Sequence, residues 1–317
     1  MLRLALIACW ASVAAGPAQA YPWPIEPFHR QHSIGGAFGD PRMVFARDLA
    51  DGGLDGPGEF HFHNGVDIHA RPGTPVFPVT SGVANVLTRT QVEVDDPEHP
   101  SFRYVHLRVA VRDGQHVVAQ RTVLGRITPW AGHVHFSELY RGRAVNPLAR
   151  GHLEPYADHT RPQVRQIDFR DVHGRPASPL GLHGRVDFFA DAYDLPVPFA
   201  AFPFLNRPVA PAAISWRLTT PRGRIVLRKQ TPVDFRSFIP RQSAFWRVYG
   251  RGTYPNGPNF GGEFYKHVLG RYLFRLTPYA LDTRRFRDGS YVLTVTARDI
   301  RGNRGSVSER FEVQNRR

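Results

Sequence analysis

The 317-residue sequence predicts an all-β fold. Its apolar stretches are short and alternate with polar residues, the pattern of a strand with one buried face. Those stretches are rich in Val, Ile, Phe and Tyr, which fit a pleated surface. Between them fall 28 Pro and 29 Gly, which leave no long window for an amphipathic helix.

The chain opens on Met1-Leu2-Arg3, an apolar run from Leu4 to Ala15, and Ala18-Gln19-Ala20. A positive start, a short apolar core and a small-x-small site predict a secretory signal over 1–20, with the mature chain starting near Tyr21. A lipid-attachment reading of Leu6-Ile7-Ala8-Cys9 is disfavoured, because the apolar stretch before Cys9 is too short. No later stretch reaches the roughly 18 apolar residues of a transmembrane helix. The expectation is an exported protein, periplasmic or extracellular, with no transmembrane segment. No long segment precedes the first motif below, so no N-terminal inhibitory prodomain is expected. Cys9 is the single cysteine and leaves with the signal. The mature chain then has no disulfide, and any metal must be held by His and carboxylate.

In the first half, alternating stretches run Val76 to Val79 (VFPV), Gly82 to Leu87 (GVANVL), Tyr104 to Val111 (YVHLRVAV) and His133 to Phe136 (HVHF). Arg112-Asp113-Gly114 and Arg141-Gly142-Arg143 supply turns. A small antiparallel sheet domain is predicted over 21–155. In the second half Val164 to Phe169 (VRQIDF), Gly184 to Ala190 (GRVDFFA) and Ile214 to Leu218 (ISWRL) alternate in the same way. The last pair is the clearest: Asp288-Gly289, a Tyr291-x-Leu293-x-Val295-x-Ala297 strand, an Asp299-x-x-Gly302-Asn303 turn and a closing strand. It resembles the final hairpin of bacterial immunoglobulin-like domains and implies a β-sandwich over 156–317. Between 237 and 286 the aromatic, Gly-rich run FWRVYGRGTYPNGPNFGGEFYKH breaks the alternation and reads as a long inserted loop.

The net charge of +14 is unevenly spread. From Tyr21 to Pro155, 13 Arg and 14 acids nearly cancel, whereas Tyr156 to Arg317 carries 27 basic residues and 13 acids. Histidine runs the other way, with 11 of 15 in the first half. The first half therefore reads as the site and the second as an electrostatic anchor, drawn to peptidoglycan carboxylates or another anionic wall polymer, or to lipid phosphates. Its acids Asp168, Asp171, Asp187, Asp191 and Asp194 read as turn and cap residues. Nucleic acid is not an expected partner of an exported chain without a recognisable reading module.

Glu59 to Val79 (EFHFHNGVDIHARPGTPVFPV) crowds His61, His63, Asp67 and His69 together. His63 and Asp67 flank Gly65, whose freedom of backbone angle would let the chain curl and aim both inward. Residues two apart on a strand share a face, so His133 and His135 point the same way. His106, on another alternating stretch, joins them if the strands are neighbours. Four histidines and one aspartate then converge on one ion, although spacing alone does not say which His is a ligand. His29, His99, His152 and His267 read as surface or satisfied polar residues. His61 and His69 read as structural, even though His61 would share His63's face on a strand.

Eight blocks in order resemble the lysostaphin/LytM-type zinc metallopeptidases. They are Ser33 to Arg42 (SIGGAFGDPR), His63 to Ile68 (HNGVDI), Arg71 to Val76 (RPGTPV), Ser81 to Ala84 (SGVA), Tyr104 to Leu107 (YVHL), Arg112 to Val117 (RDGQHV), Val123 to Gly125 (VLG), and Gly132 to Phe136 (GHVHF) with Val145 to Leu148 (VNPL). The resemblance covers about residues 30 to 150. It implies one Zn²⁺ per chain held by His63, Asp67 and His135, with His106 and His133 beside the scissile carbonyl as the catalytic pair. It also implies a peptidoglycan endopeptidase, cutting the peptide cross-links of bacterial cell wall. Two segments depart from the family. Val94 to Pro100 (VDDPEHP) is acidic where a Gly-rich lead-in is usual, and the loop before His133 is shortened to Thr128 to Gly132 (TPWAG). Both resemble groove walls, so which peptide bond is cut stays open. Trp130, beside the site, reads equally as a lid, a substrate platform or plain packing. Two rivals remain: a non-catalytic scaffold that binds wall or activates another hydrolase, and an extracellular protease cutting Gly-rich proteins.

Overall fold

The computed structural model describes residues 20–44, 59–96, 100–201, 207–255 and 270–316. Within them the fold is all-β, with only short helical turns such as Phe245–Val248. The expected leader lies outside the described residues except for Ala20, as do His99, His267 and part of the expected loop. No described helix is long and apolar enough to cross a membrane.

The first half is built on an eight-stranded antiparallel sheet. Its path runs Ile34–Gly36, Val66–His69, His133–Tyr140, Ser101–Val105, Gln91–Asp95, Gly82–Thr88 and Gln115–Val117, with Arg143–Val145 paired to His133–Tyr140. A three-stranded sheet of Pro75–Val76, Gly125–Ile127 and Leu107–Val109 packs beside it, and a ribbon joins Pro41–Val44 to Glu59–Phe62. Alternation decides which face is core. Val134 and Phe136 are fully buried, and the ring of Phe136 meets those of Phe102 and Tyr104 on the adjacent strand. His133 and His135 therefore face the other way.

The stretch Tyr104 to Val111 does not form the single strand its alternation predicts. It breaks at His106, whose φ of 71° is left-handed, and the chain passes there from the large sheet into the three-stranded one. An unbroken strand would place His106 on the face of Tyr104, inside the core. The break turns the imidazole out toward His133. A left-handed conformation is costly for a non-glycine residue, and such strain concentrates at functional sites.

The second half forms two antiparallel sheets. One holds Gln163–Asp171, Arg185–Tyr193 and Leu273–Arg275, with Leu281–Asp282 paired to Arg185–Tyr193. The other runs Ile225–Asp234, Ala213–Thr219, Gly289–Arg298 and Arg304–Val313. The buried ring of Phe188 joins them, 5.1 Å from Phe169, 5.5 Å from Phe311 and 6.1 Å from Trp216. In Gly289–Arg298 the residues Tyr291, Leu293, Val295 and Ala297 point inward, as their spacing predicts.

Among the described residues of 237–286, the inserted-loop reading is corrected only where elements form. Leu273–Arg275 pairs with Phe189–Asp191, Leu281–Asp282 pairs with Arg185 and Val186, and Phe245–Val248 is a helical turn packed on Phe60 and Phe62. Strands this short carry too few residues for alternation to show. The separate-anchor reading is also modified. Buried residues of both halves form one continuous hydrophobic cluster, from Trp23 and Phe62 through Phe235 and Tyr249 to Phe311.

Candidate metal centre

The site is assembled by strand register. His135 stands opposite Asp67, and His133 opposite His69, across the antiparallel pair His133–Tyr140 and Val66–His69. Cross-strand partners place their side chains side by side on one face. On the other flank His135 stands opposite Val105, so His106 emerges next to the same face. His63 arrives from the ribbon, and its main chain is pinned to the loop at Gly39 and Asp40. His63 N–H donates to the Asp40 carbonyl at 2.8 Å, and Gly39 N–H donates to the His63 carbonyl at 2.9 Å.

Gly65 is required, but not for its backbone angle, since its φ lies outside the left-handed region. A Cβ there would stand 2.4 Å from the Phe136 carbonyl oxygen, 2.7 Å from Ser137 Oγ and 2.9 Å from His135 Nε2. Close approach of the chain to its neighbour strand is what excludes any side chain. Gly36 serves the same purpose, because a Cβ would meet Arg42 Nη2 at 2.1 Å and Asp67 Oδ2 at 2.4 Å.

Three donor atoms form a tight triangle. His63 Nε2 and His135 Nδ1 are 2.8 Å apart, and Asp67 Oδ1 lies 3.1 Å from the first and 3.2 Å from the second. The outer atoms of the three side chains have partners of their own. His63 Nδ1–H donates to the Ala37 carbonyl at 2.8 Å, His135 Nε2 meets Ser137 Oγ at 2.8 Å, and Arg42 Nη2 donates to Asp67 Oδ2 at 2.8 Å. Partners on the outer atoms fix ring tautomers and aim the lone pairs inward. Burial, then the Arg42 charge, pushes the His63 imidazole down to about 3. It is therefore neutral and able to ligate at ordinary pH. Burial opposes ionisation of Asp67, but His63, His133 and Arg42 outweigh it and hold the carboxyl well below its usual range. Two neutral imidazoles and one carboxylate are a donor set that zinc takes in catalytic sites. Donors bound at about 2.1 Å in a tetrahedron stand about 3.4 Å apart, somewhat wider than the 2.8–3.2 Å found here, so an ion would spread the triangle slightly.

His133 and His106 complete the cluster. His133 Nδ1–H donates to the Ala131 carbonyl at 2.8 Å, leaving Nε2 turned toward Asp67 Oδ1 at 3.5 Å. The rings of His106 and His133 are 4.6 Å apart, edge to face. Burial, then His133, lowers the His106 imidazole to about 4. Trp130, 63% exposed, meets the His106 ring edge-on at 5.2 Å.

All five residues singled out by the sequence thus come together. His61 lies opposite Arg42 on the ribbon, and His69 packs over Gly35, whose added Cβ would lie 2.2 Å from His69 Nε2. Neither belongs to the triangle of donors. His29 is exposed, and His152 is satisfied by Glu138 at 2.7 Å. Sequence reasoning missed Arg42 and Ser137. Ser137 was within reach, being two residues past His135 on the same strand face. Arg42 needed the third dimension, because its strand and Asp67 are 25 residues apart in sequence.

No family model matches the chain. Uncharacterized proteins of Mycobacterium tuberculosis and Mycobacterium bovis are 33% identical over 139 residues, which is 41% of this chain and 48% of theirs. The chain thus spans about half the length of the curated relatives it matches. Among solved structures, similar chains include a zinc-containing peptidase from Vibrio cholerae, 24% identical over 41% of this chain and 39% of that one, with a TM-score of 0.31. Another is pseudoalterin, an M23 metalloprotease from the deep sea, 18% identical over 46% of this chain and 84% of its own, with a TM-score of 0.28. A chain of the SpoIIQ–SpoIIIAH pore-forming complex is 20% identical over 44% of this chain and 94% of its own, with a TM-score of 0.33. With TM-scores this low, what the site can do is read from its own side chains.

Proposed function

We propose that the chain is an exported, zinc-dependent endopeptidase that hydrolyses amide bonds in the peptide cross-links of bacterial peptidoglycan. The observation that carries this reading is the triangle of His63 Nε2, Asp67 Oδ1 and His135 Nδ1, with the rings of His106 and His133 beside it. A zinc ion held by His63, Asp67 and His135 would supply Lewis acidity toward an amide carbonyl and acidify the water that attacks it.

The chain's own residues then divide the work. His133, with Nδ1–H committed to Ala131, offers the Nε2 lone pair to take a proton from the attacking water. It returns that proton to the leaving nitrogen as the C–N bond breaks. His106, kept neutral by burial, donates a ring N–H to the carbonyl oxygen as negative charge develops there. Asp67, anchored by Arg42, keeps its position as the charge in the site changes. The arginine-rich second half favours an anionic substrate such as wall polymer.

The test is purified protein, with and without a chelator, on isolated peptidoglycan and on a Gly-rich protein, with new ends identified by mass spectrometry. Chelator-sensitive new amino termini from the wall are expected. Stoichiometric zinc with unchanged wall would overturn the reading in favour of a binding scaffold, and cleavage of the Gly-rich protein alone would reassign the substrate.

A further inference from the structure

We infer that the second half is a positioning part of the metal centre: through Ala210, which binds Asp40, and Tyr249 it holds the loop that aims Arg42 and His63. This rests on the metal reading above. Asp40 is 1% exposed, and its Oδ1 accepts the Ala210 N–H from the second half at 2.7 Å. Its Oδ2 accepts the Ala37 N–H at 3.0 Å and Arg42 Nη1–H at 3.3 Å. Arg42 in turn donates Nη2–H to Asp67 Oδ2 at 2.8 Å. Three contacts therefore lead from the backbone of residue 210 to a metal-ligand carboxylate. A guanidinium held between two carboxylates is fixed in both place and plane, and this leaves Asp67 Oδ1 free for the ion.

The same loop is gripped from a second direction. Tyr249 OH donates to the Gly39 carbonyl at 2.8 Å. The Phe235 ring covers Gly39, where an added Cβ would stand 2.5 Å from the ring and φ is +91°. Phe62, the residue before His63, packs 5.7 Å from Phe235, 5.1 Å from Phe245 and 5.9 Å from Tyr249, and its N–H donates to Gln242 Oε1 at 2.8 Å. These contacts converge on residues 37–42 and on 62 and 63, which supply the partners of the donor atoms. Burying Asp40 and Arg42 is costly unless every contact is met, and the donor that completes Asp40 comes from the other half.

The experiment uses the full chain with Asp40→Asn, Tyr249→Phe, His63→Ala and, on the outer face of the far sheet, Thr294→Ala. Asp40→Asn turns an amide N–H₂ either on Ala37 N–H and Arg42 together or on Ala210 N–H, and Tyr249→Phe removes one hydroxyl. Affinity for Co²⁺ is read by chelator competition, with the visible spectrum of the Co²⁺ form. Hydrogen exchange is read without metal. We expect about tenfold weaker binding for Asp40→Asn, a smaller loss with an altered spectrum for Tyr249→Phe, and wild-type behaviour for Thr294→Ala. In both loop variants the amides of Gly39 and His63 should exchange faster while those of Ser101–Val105 do not change. Wild-type affinity, spectrum and exchange in Asp40→Asn and Tyr249→Phe would overturn the inference, as would faster exchange spread evenly over the chain. If the wild type and His63→Ala alike bind no metal, the metal reading fails. Exchange then decides the coupling alone: faster at Gly39 and His63 supports it, unchanged overturns it.

Discussion

His63, Asp67 and His135 bring their donor atoms within about 3 Å, with partners on their outer atoms holding each side chain in place. Gly65 adds a steric constraint. The Phe136 carbonyl, Ser137 Oγ and His135 Nε2 crowd the space its missing side chain would fill. Gly65→Ala must push the strand bearing His135 away, so zinc content should fall, with about 1–3 kcal/mol of stability lost in denaturant unfolding. His106 and His133 predict the opposite split. Neither supplies a donor to the triangle, so His106→Ala and His133→Ala should retain zinc and lose most hydrolysis, whereas His63→Ala loses the zinc itself. Metal analysis beside a turnover assay separates the two, and loss of zinc in His133→Ala would mean that the ligand set is wrong. The pairing of residue types was legible in the sequence because His-x-Gly-x-Asp and His-x-His are local patterns. The reason for the glycine was not, since the atoms that exclude a Cβ belong to a strand some seventy residues away.

Strands bring these residues together, and strand periodicity is what the sequence carried best. Alternation in His133–Tyr140 correctly places both histidines on the face away from Phe136, and alternation in Gly289–Arg298 correctly buries Tyr291, Leu293, Val295 and Ala297. It fails where an element breaks or is very short. The left-handed turn at His106 interrupts a run that still alternates. Leu273–Arg275 is a three-residue strand, yet it extends a sheet of the second half through Arg185–Tyr193. Its Phe274 is fully buried, with the Tyr249 ring 5.0 Å away. Phe274→Ala should therefore cost about 3–5 kcal/mol in equilibrium unfolding, the cost of a core cavity rather than of a loop substitution. A loss below 0.5 kcal/mol, the range of surface changes, would return this segment to the periphery.

Across the whole molecule, the two halves share one core, and the second half encloses a buried acidic cluster. Asp158 from the connecting segment, Asp194 from the end of a strand and Asp299 from the last hairpin turn are all buried, with ligand-type atoms within 4.8 Å of one another. Burial, then repulsion by Asp158 and Asp299, raises the Asp194 carboxyl well above its usual range, and burial raises that of Asp299. An acid whose folded pKa is raised contributes stability that is fully present below its unfolded pKa and lost as pH rises through the folded one. The protein should thus lose stability as pH rises from about 4, the usual carboxylate value, through the raised folded values of this cluster. Asp194→Asn, neutral throughout, should match the wild type at the acid end and melt higher at the alkaline end. An unchanged profile would show that another group neutralises the cluster. The sequence by itself determined the all-β class, the inward face of its longer strands and the residue types of the site, because periodicity and short motifs are properties of neighbouring positions. Tertiary structure alone decided that Arg42 anchors Asp67, that His106 turns out of its strand, and that the basic half closes over the loop beside His63. Each of those depends on atoms brought close by sheet register and shared packing between segments far apart in the chain.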